Sequence, residues 1–171
     1  MLEIRDLVKV YAGPVAALHG IRLDVPRGLF GLLGPNGSGK STLMKILAGL
    51  LAPTSGRIVR DGVDVTDRPE LVWPRLGYLP QDFGFHPRLS GEAMLRHLLD
   101  LKGVGRAGDR SRLALDLLDR VNLRGAARRP IAEYSGGMRQ RLGIAQAIAG
   151  DPDLLIVDEP TAGLDPEERL R

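Results

Sequence analysis

Apolar and polar residues alternate in two stretches near the start of the chain, and both predict β-strands. Residues 2–10 follow this pattern with an interruption at Asp6, and residues 17–25 repeat it. The next apolar segment, 29–33, is nearly continuous, which is typical of a strand buried on both faces of a sheet. The first part of the chain is therefore predicted to be rich in strands.

Four further segments carry strand signals. Residues 57–60 and 63–65 flank Asp61-Gly62, a dipeptide that is favoured in tight hairpins. Short apolar runs at 76–79 and 154–157 predict one strand each, and the second reads as buried.

Apolar residues at helical spacing predict four helices. The first covers 41–48 and stops at Gly49. Between 83 and 150 we expect three more helices, of which one is capped by Ser90, one by Asp109, and one covers 136–149. The Ser90 helix should bury the stripe formed by Met94, Leu98 and Leu101.

A glycine-rich segment directly after 29–33 has the clearest chemical meaning. Its residues are Gly34, Pro35, Asn36, Gly37, Ser38, Gly39, Lys40, Ser41 and Thr42. Between a strand and a helix, such a loop curls its backbone amides around phosphate oxygens, and the helix directs its positive end at them. Lys40 then reaches the β and γ phosphates, and the Ser41 hydroxyl ligates Mg²⁺. The segment predicts an ATP-binding loop, and a chance glycine-rich turn is the alternative.

Two acids follow the apolar run 154–157. An acid at the carboxyl end of a buried strand is placed to hold Mg²⁺, which suits Asp158. Its neighbour Glu159 is placed to polarise an attacking water as a general base. Alone, the pair is equally consistent with a turn. Beside a phosphate loop, we interpret it as a metal ligand and a base.

Composition and charge exclude some further classes of site and partner. The chain has no cysteine, which excludes disulfides and Cys-based metal sites. Its positive charge is concentrated in 104–141, which holds nine Arg and four acids. A basic segment can bind nucleic acid or anionic lipid, but aromatic residues do not interleave with the Arg residues. We therefore interpret it as a solvated helical face and expect no nucleic acid partner.

The glycine-rich and acidic motifs resemble those of the ATP-binding cassette family, the nucleotide-binding subunits of ABC transporters. The resemblance extends over essentially all 171 residues. Residues 34–42 are similar to the family's Walker A motif, and 154–159 to its Walker B motif. Gln81 is similar to the Q-loop glutamine. Tyr11 occupies the place of the aromatic residue that stacks on adenine.

Two further motifs of that family occur in its usual order. Residues 134–138 resemble the signature, which here contains Ser135, Gly136, Gly137 and Met138. Two glycines at a helix start expose amides that suit an anion, although a simple Ser cap is the alternative. Residues 162–166, with Asp165, resemble the D-loop.

The resemblance implies an α/β fold with a P-loop NTPase core and a mostly parallel sheet. An N-terminal antiparallel β subdomain and an inserted α-helical subdomain would complete it. The chain would form a single ATP-binding domain. Residues 1–82 would be the β subdomain with the Walker A core, 83–150 the helical signature subdomain, and 151–171 Walker B and the D-loop. The family's switch histidine follows the D-loop, whereas all three histidines of this chain precede Walker B. We expect that region to be lacking.

The resemblance also implies how the site works. Two such domains would dimerise head to tail, so that the signature of one contacts the γ-phosphate of the ATP bound to the other. Ser41, Gln81 and Asp158 would hold Mg²⁺, and Glu159 would be the base. The partners would be a second nucleotide-binding domain and an integral membrane permease, with the chain on the cytoplasmic face of the cell membrane.

The signature reads Tyr-Ser-Gly-Gly-Met, where the usual form is Leu-Ser-Gly-Gly-Gln. This variant is similar to the exporter branch with ABC-2 type permeases. The predicted function is therefore to bind and hydrolyse ATP and so energise export. Two alternatives stay open: a soluble ABC ATPase without a role in transport, and an ATP-binding module with little hydrolysis.

Overall fold

The computed structural model describes residues 1–13, 16–68, 71 and 76–159. They belong to two compact units, Met1–Pro74 and Arg75–Arg171. Within the described residues, the first unit contains a four-stranded antiparallel sheet and one helix. The second contains a parallel strand pair and three α-helices.

The sheet of the first unit has the order β2-β1-β3-β4, so the N-terminal strand lies inside it. Its strands are β1 (Leu2–Val10), β2 (Ala16–Val25), β3 (Ser55–Arg60) and β4 (Val63–Asp64). All three strand pairs are antiparallel. The alternating patterns near the start of the chain thus predicted β1 and β2 correctly, and the segments that flank Asp61-Gly62 predicted β3 and β4.

Two local features of this sheet were also predicted. Asp6 has a φ of 49°, and the pairing register shifts between Ile4 and Leu7, so the interruption in the pattern is a bulge in β1. In the hairpin between β3 and β4, both Asp61 and Gly62 have positive φ, at 48° and 84°. Such turns match the right-handed twist of the flanking strands.

Helix α1 (Lys40–Leu47) begins within the glycine-rich segment 34–42, directly after Gly39, and buries Leu43 and Ile46. It ends as predicted, because the amide of Gly49 donates to the carbonyl of Ile46 at 2.9 Å. Gly49 has a φ of 71°, which a glycine adopts without strain. A backbone hydrogen bond thus ends the helix, and the buried side chains of Leu43 and Ile46 stabilise it along its length.

The predicted strand at 29–33 is wrong. These residues form no strand, and Leu29 and Leu33 are almost fully exposed. A strand exists only when neighbouring strands satisfy its amides and carbonyls, and among the described residues no strand pairs with this segment. A continuous apolar run indicates that a segment favours burial, but it does not show which strand would pair with that segment.

In the second unit, β5 (Leu76–Leu79) and β6 (Leu154–Val157) pair in parallel. Three helices form its remaining core: α2 (Gly91–Leu101), α3 (Arg110–Arg120) and α4 (Gly136–Ala147). The buried side chains between these helices include Leu95, Leu99, Leu118, Tyr134 and Leu142.

Three details of the second unit differ from the predictions. Leu101 is 70% exposed, because α2 turns Leu95 and Leu99 toward α3 and α4 and leaves Met94 and Leu98 partly buried. Asp109 does not cap α3 with its side chain, since its backbone is already helical rather than extended. Leu155 in β6 is exposed, so that strand is only partly buried.

Candidate functional site

The glycine-rich loop folds back on its own lysine. The Lys40 Nζ atom donates to the carbonyl oxygens of Gly34 at 2.8 Å and Pro35 at 2.9 Å. The Ser38 amide donates to the Pro35 carbonyl at 3.2 Å. The ammonium group is therefore held at the loop by two neutral carbonyls, and an anion entering the loop meets a positive charge already in position.

Gly39 fixes the loop against the sheet. It has a φ of 90°, and a Cβ atom placed on it would lie 2.5 Å from the carbonyl oxygen of Ala17 in β2. Both its backbone conformation and this close approach require glycine. The residue precedes α1, so this contact sets where the positive end of the helix points.

Tyr11, the predicted adenine platform, lies beside this loop. Its Oη atom is 3.2 Å from the Oγ1 atom of Thr42, and the ring is substantially exposed. The Nζ atom of Lys9 lies over the ring at 5.6 Å from its centroid and donates to the Ala52 carbonyl at 2.7 Å. Lys9 was not among the predicted site residues. Its signal in the sequence was its position two residues before Tyr11, near the end of β1.

In the second unit, the ends of two parallel strands position the other predicted residues. Gln81 follows β5 after one residue, and Asp158 directly follows β6. The Asp158 amide donates to the Leu79 carbonyl at 2.9 Å, which continues the pairing to the strand ends. Ligand sites of parallel sheets form outside the carboxyl ends of their strands.

The two acids after β6 have different surroundings. Asp158 is only 3% exposed, whereas Glu159 is exposed and has a φ of 48°. Burial, together with the charge of Asp158, raises the pKa of the Tyr78 hydroxyl. A buried carboxylate suits a hard cation, and an exposed one can meet water. The local structure thus gives the two acids different exposure, and their roles as metal ligand and base stay predictions.

Gln81 also borders a cleft of about 390 Å³ within the second unit. The segment 81–84 forms one wall, and Gly136, Arg139 and Gln140 of α4 form the other. The cleft therefore brings together the Q-loop glutamine and the start of the signature helix. Arg139 and Gln140 were not among the predicted site residues. Their positions, about one turn beyond Ser135 on the predicted helix, were the signal in the sequence that could have identified them.

The signature begins α4 as a capped helix. Ser135 has an extended backbone, and its Oγ atom accepts a hydrogen bond from the Met138 amide at 3.1 Å. Gly136 is exposed, Gly137 is buried and Met138 is partly buried. The simple Ser cap is therefore present. A serine hydroxyl that accepts one bond still has a proton to donate, so the cap leaves the hydroxyl free for an anion.

Asp165 and the rest of the predicted D-loop lie outside the described residues. Within the residues that are described, no three His, Asp or Glu side chains cluster as a metal site. A site that takes its other ligands from ATP phosphates and water needs no such cluster. No helix in the described part of the chain is both long and apolar enough to cross a membrane.

The basic segment 104–141 is partly neutralised by its own acids. Arg129 lies 3.3 Å from Glu133, and Arg112 lies 3.7 Å from Asp109. Arg110 pairs with Asp100 of α2. These pairs agree with the interpretation of a solvated helical face.

The ABC transporter family model matches residues 18–162 of this chain. The match covers the phosphate loop, Gln81, the signature and both acids after β6. The chain belongs to the ABC transporter family.

Several transport proteins are similar in sequence. The daunorubicin/doxorubicin resistance ATP-binding protein DrrA of Streptomyces peucetius is 45% identical over 98% of this chain and 51% of its own length. The Nod factor export ATP-binding protein I of Cupriavidus pinatubonensis is 39% identical over 99% and 52%. The phosphonates import ATP-binding protein PhnC of Alcaligenes faecalis is 41% identical over 98% and 65%. The chain spans about half the length of the first two.

A solved structure has the same fold. The dimeric structure of MJ0796, a bacterial ABC transporter cassette, superposes with a TM-score of 0.86 and 30% sequence identity. The superposition covers 99% of this chain and 78% of the cassette. The predicted α/β class, with its antiparallel and helical additions, is confirmed.

Proposed function

We propose that this chain binds and hydrolyses ATP and thereby powers export through a separate membrane permease. One observation carries the proposal: the Lys40 ammonium is already placed at the carbonyls of Gly34 and Pro35 in a loop that Gly39 fixes against β2. A preorganised cation beside exposed backbone amides is the arrangement that receives a polyphosphate.

Each predicted residue has a role in holding the nucleotide. The exposed ring of Tyr11 offers a face to the adenine base. The amides of residues 34–42 and the Lys40 ammonium receive the phosphates. Ser41, Gln81 and Asp158 are the residues that would hold Mg²⁺, and the buried carboxylate of Asp158 fits that cation. Bound Mg²⁺ neutralises charge on the β and γ phosphates.

Hydrolysis requires a general base and hydrogen-bond donors to the γ-phosphate. Glu159 is the base, because its exposed carboxylate is free to take a proton from water. The donors come from the signature of a second copy, where Ser135 keeps its hydroxyl proton and α4 presents the amides of Gly136, Gly137 and Met138. The dimeric MJ0796 cassette supports the proposal that two copies assemble.

Export rests on the Tyr-Ser-Gly-Gly-Met signature and on the similarity to DrrA and to the Nod factor export protein. The phosphonates import protein is a counterexample at comparable identity. Transport assays with the intact protein and its permease, in inverted and right-side-out vesicles, measure the direction. ATP-dependent accumulation in inverted vesicles supports export, and accumulation in right-side-out vesicles contradicts it.

A mixing experiment tests the composite site. Lys40→Ala disables the loop, Ser135→Arg blocks the signature, and each variant alone should lose ATP hydrolysis. In a mixed dimer, one site still combines an intact loop with an intact signature. For independent sites, mixing should restore roughly a quarter of wild-type phosphate release, because half of the dimers are mixed. If no activity returns on mixing, the signature does not act across two copies.

A further inference from the structure

Tyr134 stands where the signature departs from its usual form, and it is 2% exposed. Its ring packs in the core of the second unit with Leu95, Leu118 and Leu142. Its Oη atom donates to the carbonyl oxygen of Ala126 at 2.8 Å. Ala126 ends a 3-10 turn that links α3 to the segment before the signature. The phenol therefore joins the signature to a turn eight residues earlier.

Gly91, the first residue of α2, faces the same hydroxyl. A Cβ atom placed on Gly91 would lie 2.3 Å from Tyr134 Oη and 3.2 Å from Cζ. Any larger residue at position 91 must displace the ring. Burial raises the pKa of the Tyr134 hydroxyl, against the opposing effects of the Arg129 charge and of the Gly91 backbone. The Tyr134 side chain therefore fits in this position only because residue 91 has no side chain.

Backbone hydrogen bonds join the segments on either side of this contact. The Glu92 amide donates to the Ala127 carbonyl, and the Ile131 amide donates to the Leu89 carbonyl, both at 2.9 Å. A third bond, also 2.9 Å long, links Ala132 to Pro87. The segment that follows the Gln81 cleft is thus fastened to the segment that leads into the signature. The Tyr134 hydroxyl adds a side-chain bond to Ala126 within the second of these segments, directly before Ser135.

We infer that Tyr134 is a positioning residue for the signature. Seated against Gly91, its hydroxyl fixes the start of α4, and with it the Ser135 hydroxyl that meets the γ-phosphate bound by a second copy. Tyr134 acts through its neighbours: its carbonyl accepts a hydrogen bond from Arg139 Nε at 3.1 Å, and Ser135 is the next residue. The inference rests on the proposed function, because it requires a dimer closed by ATP.

Tyr134→Phe tests the role of the hydroxyl, because it keeps the ring and removes only the oxygen. In the intact protein carrying Glu159→Gln, analytical ultracentrifugation with ATP gives the dimer dissociation constant. We expect Tyr134→Phe to raise that constant about tenfold, as for the loss of one buried hydrogen bond, and the Ala126 carbonyl keeps its bond from the Arg129 amide. The ATP affinity of the monomer should stay unchanged. A purely structural tyrosine would lower Tm without changing the dimer constant.

A double-mutant cycle tests the size match and does not depend on one variant. Gly91→Ala should weaken dimerisation at least about tenfold beside Tyr134 but less than about twofold beside Tyr134→Leu, because the clash is then absent. Leu99→Val, a buried α2 change far from position 91 along the helix, controls for loss of stability. Equal effects of Gly91→Ala in both backgrounds would overturn the inference.

Different outcomes contradict the proposed function and the positioning role of Tyr134. If Glu159→Gln alone does not dimerise with ATP, the proposed function fails. If it dimerises and Tyr134→Phe leaves the dimer constant and the monomer affinity as they were, only the role of Tyr134 is overturned.

Discussion

Tyr11 Oη lies 3.2 Å from Thr42 Oγ1, so the aromatic ring beside the phosphate loop is tied to the last residue of that loop. Under the proposed function, this bond orients the ring for stacking on the adenine base. Lys9 lies over one face of the ring, which leaves the other face available. The contact gives the aromatic platform a fixed orientation that the sequence could not show.

Tyr11→Ala should weaken ATP binding by about 1–3 kcal/mol, the usual contribution of stacking one base on an aromatic side chain. Tyr11→Phe keeps the stacking face and should cost less than about 1 kcal/mol. Equilibrium titration with ATP measures both. Tripolyphosphate, which has no base, is the matched control ligand and should bind all three proteins equally. A parallel loss of tripolyphosphate binding in Tyr11→Ala would show that the residue supports the loop instead.

Gly39→Ala should destabilise the first unit more strongly than a change at another glycine with positive φ. Its new methyl group would meet the Ala17 carbonyl at 2.5 Å, in addition to the backbone strain. Gly28→Ala is the control, because Gly28 has a φ of 109° with nothing within 4 Å. We expect about 1 kcal/mol for the control and about 3 kcal/mol or more for Gly39→Ala. Denaturant unfolding measures the difference, and equal losses would refute the close packing.

Glu159→Gln should abolish ATP hydrolysis while ATP binding stays intact, because the amide accepts no proton from water at neutral pH. The ATP-bound dimer should accumulate, which light scattering detects. Glu133→Gln is the matched control, since that carboxylate pairs with Arg129 on the surface and should leave turnover unchanged. Wild-type turnover in Glu159→Gln would remove this residue from the role of base.

Lys102 gives a prediction about pH. Burial lowers the pKa of its ammonium group below the usual 10.5, and its Nζ atom donates to the Gln146 carbonyl at 2.9 Å. The folded state therefore binds this proton less tightly than the unfolded state. Below the folded-state pKa the charged lysine costs stability, and the cost disappears as the pH rises toward 10.5.

Lys102→Met removes this cost and keeps an apolar stem of similar length. Its Tm relative to wild type should therefore be highest at neutral pH and should fall as the pH approaches about 10.5. Thermal unfolding at several pH values measures the difference. Lys45→Met, at an exposed position of α1, is the control and should show no such trend. A constant difference between Lys102→Met and wild type would contradict the burial of charge.

Local patterns in the sequence predicted much of the fold because many of its features depend on interactions between residues that are close in the chain. The alternation over 2–10, the Asp61-Gly62 hairpin and the cap at Ser90 all depend on residues close in the chain, and all are present. The strand at 29–33 needed partners from elsewhere in the chain. Leu101 likewise depended on which face of α2 meets α3 and α4, and no periodicity within one helix gives that.

The candidate site, like the fold, was only partly predictable from the sequence. Its motifs were visible as spacings, from Gly34 to Thr42 and from Asp158 to Glu159. The contacts that orient those motifs join residues far apart in the chain. Tyr11 with Thr42 and Gly91 with Tyr134 are two such contacts, and a single sequence carries no record of either distance.

The position of β1 inside its sheet has a consequence for biosynthesis. The strand is made first, yet its second neighbour, β3, ends at Arg60. A nascent chain that stops short of Arg60 therefore presents an open edge of β1, which is a template for mispairing with other chains. The phosphate loop lies between β2 and β3 in the chain, so it is held at both ends only after β3 has left the ribosome.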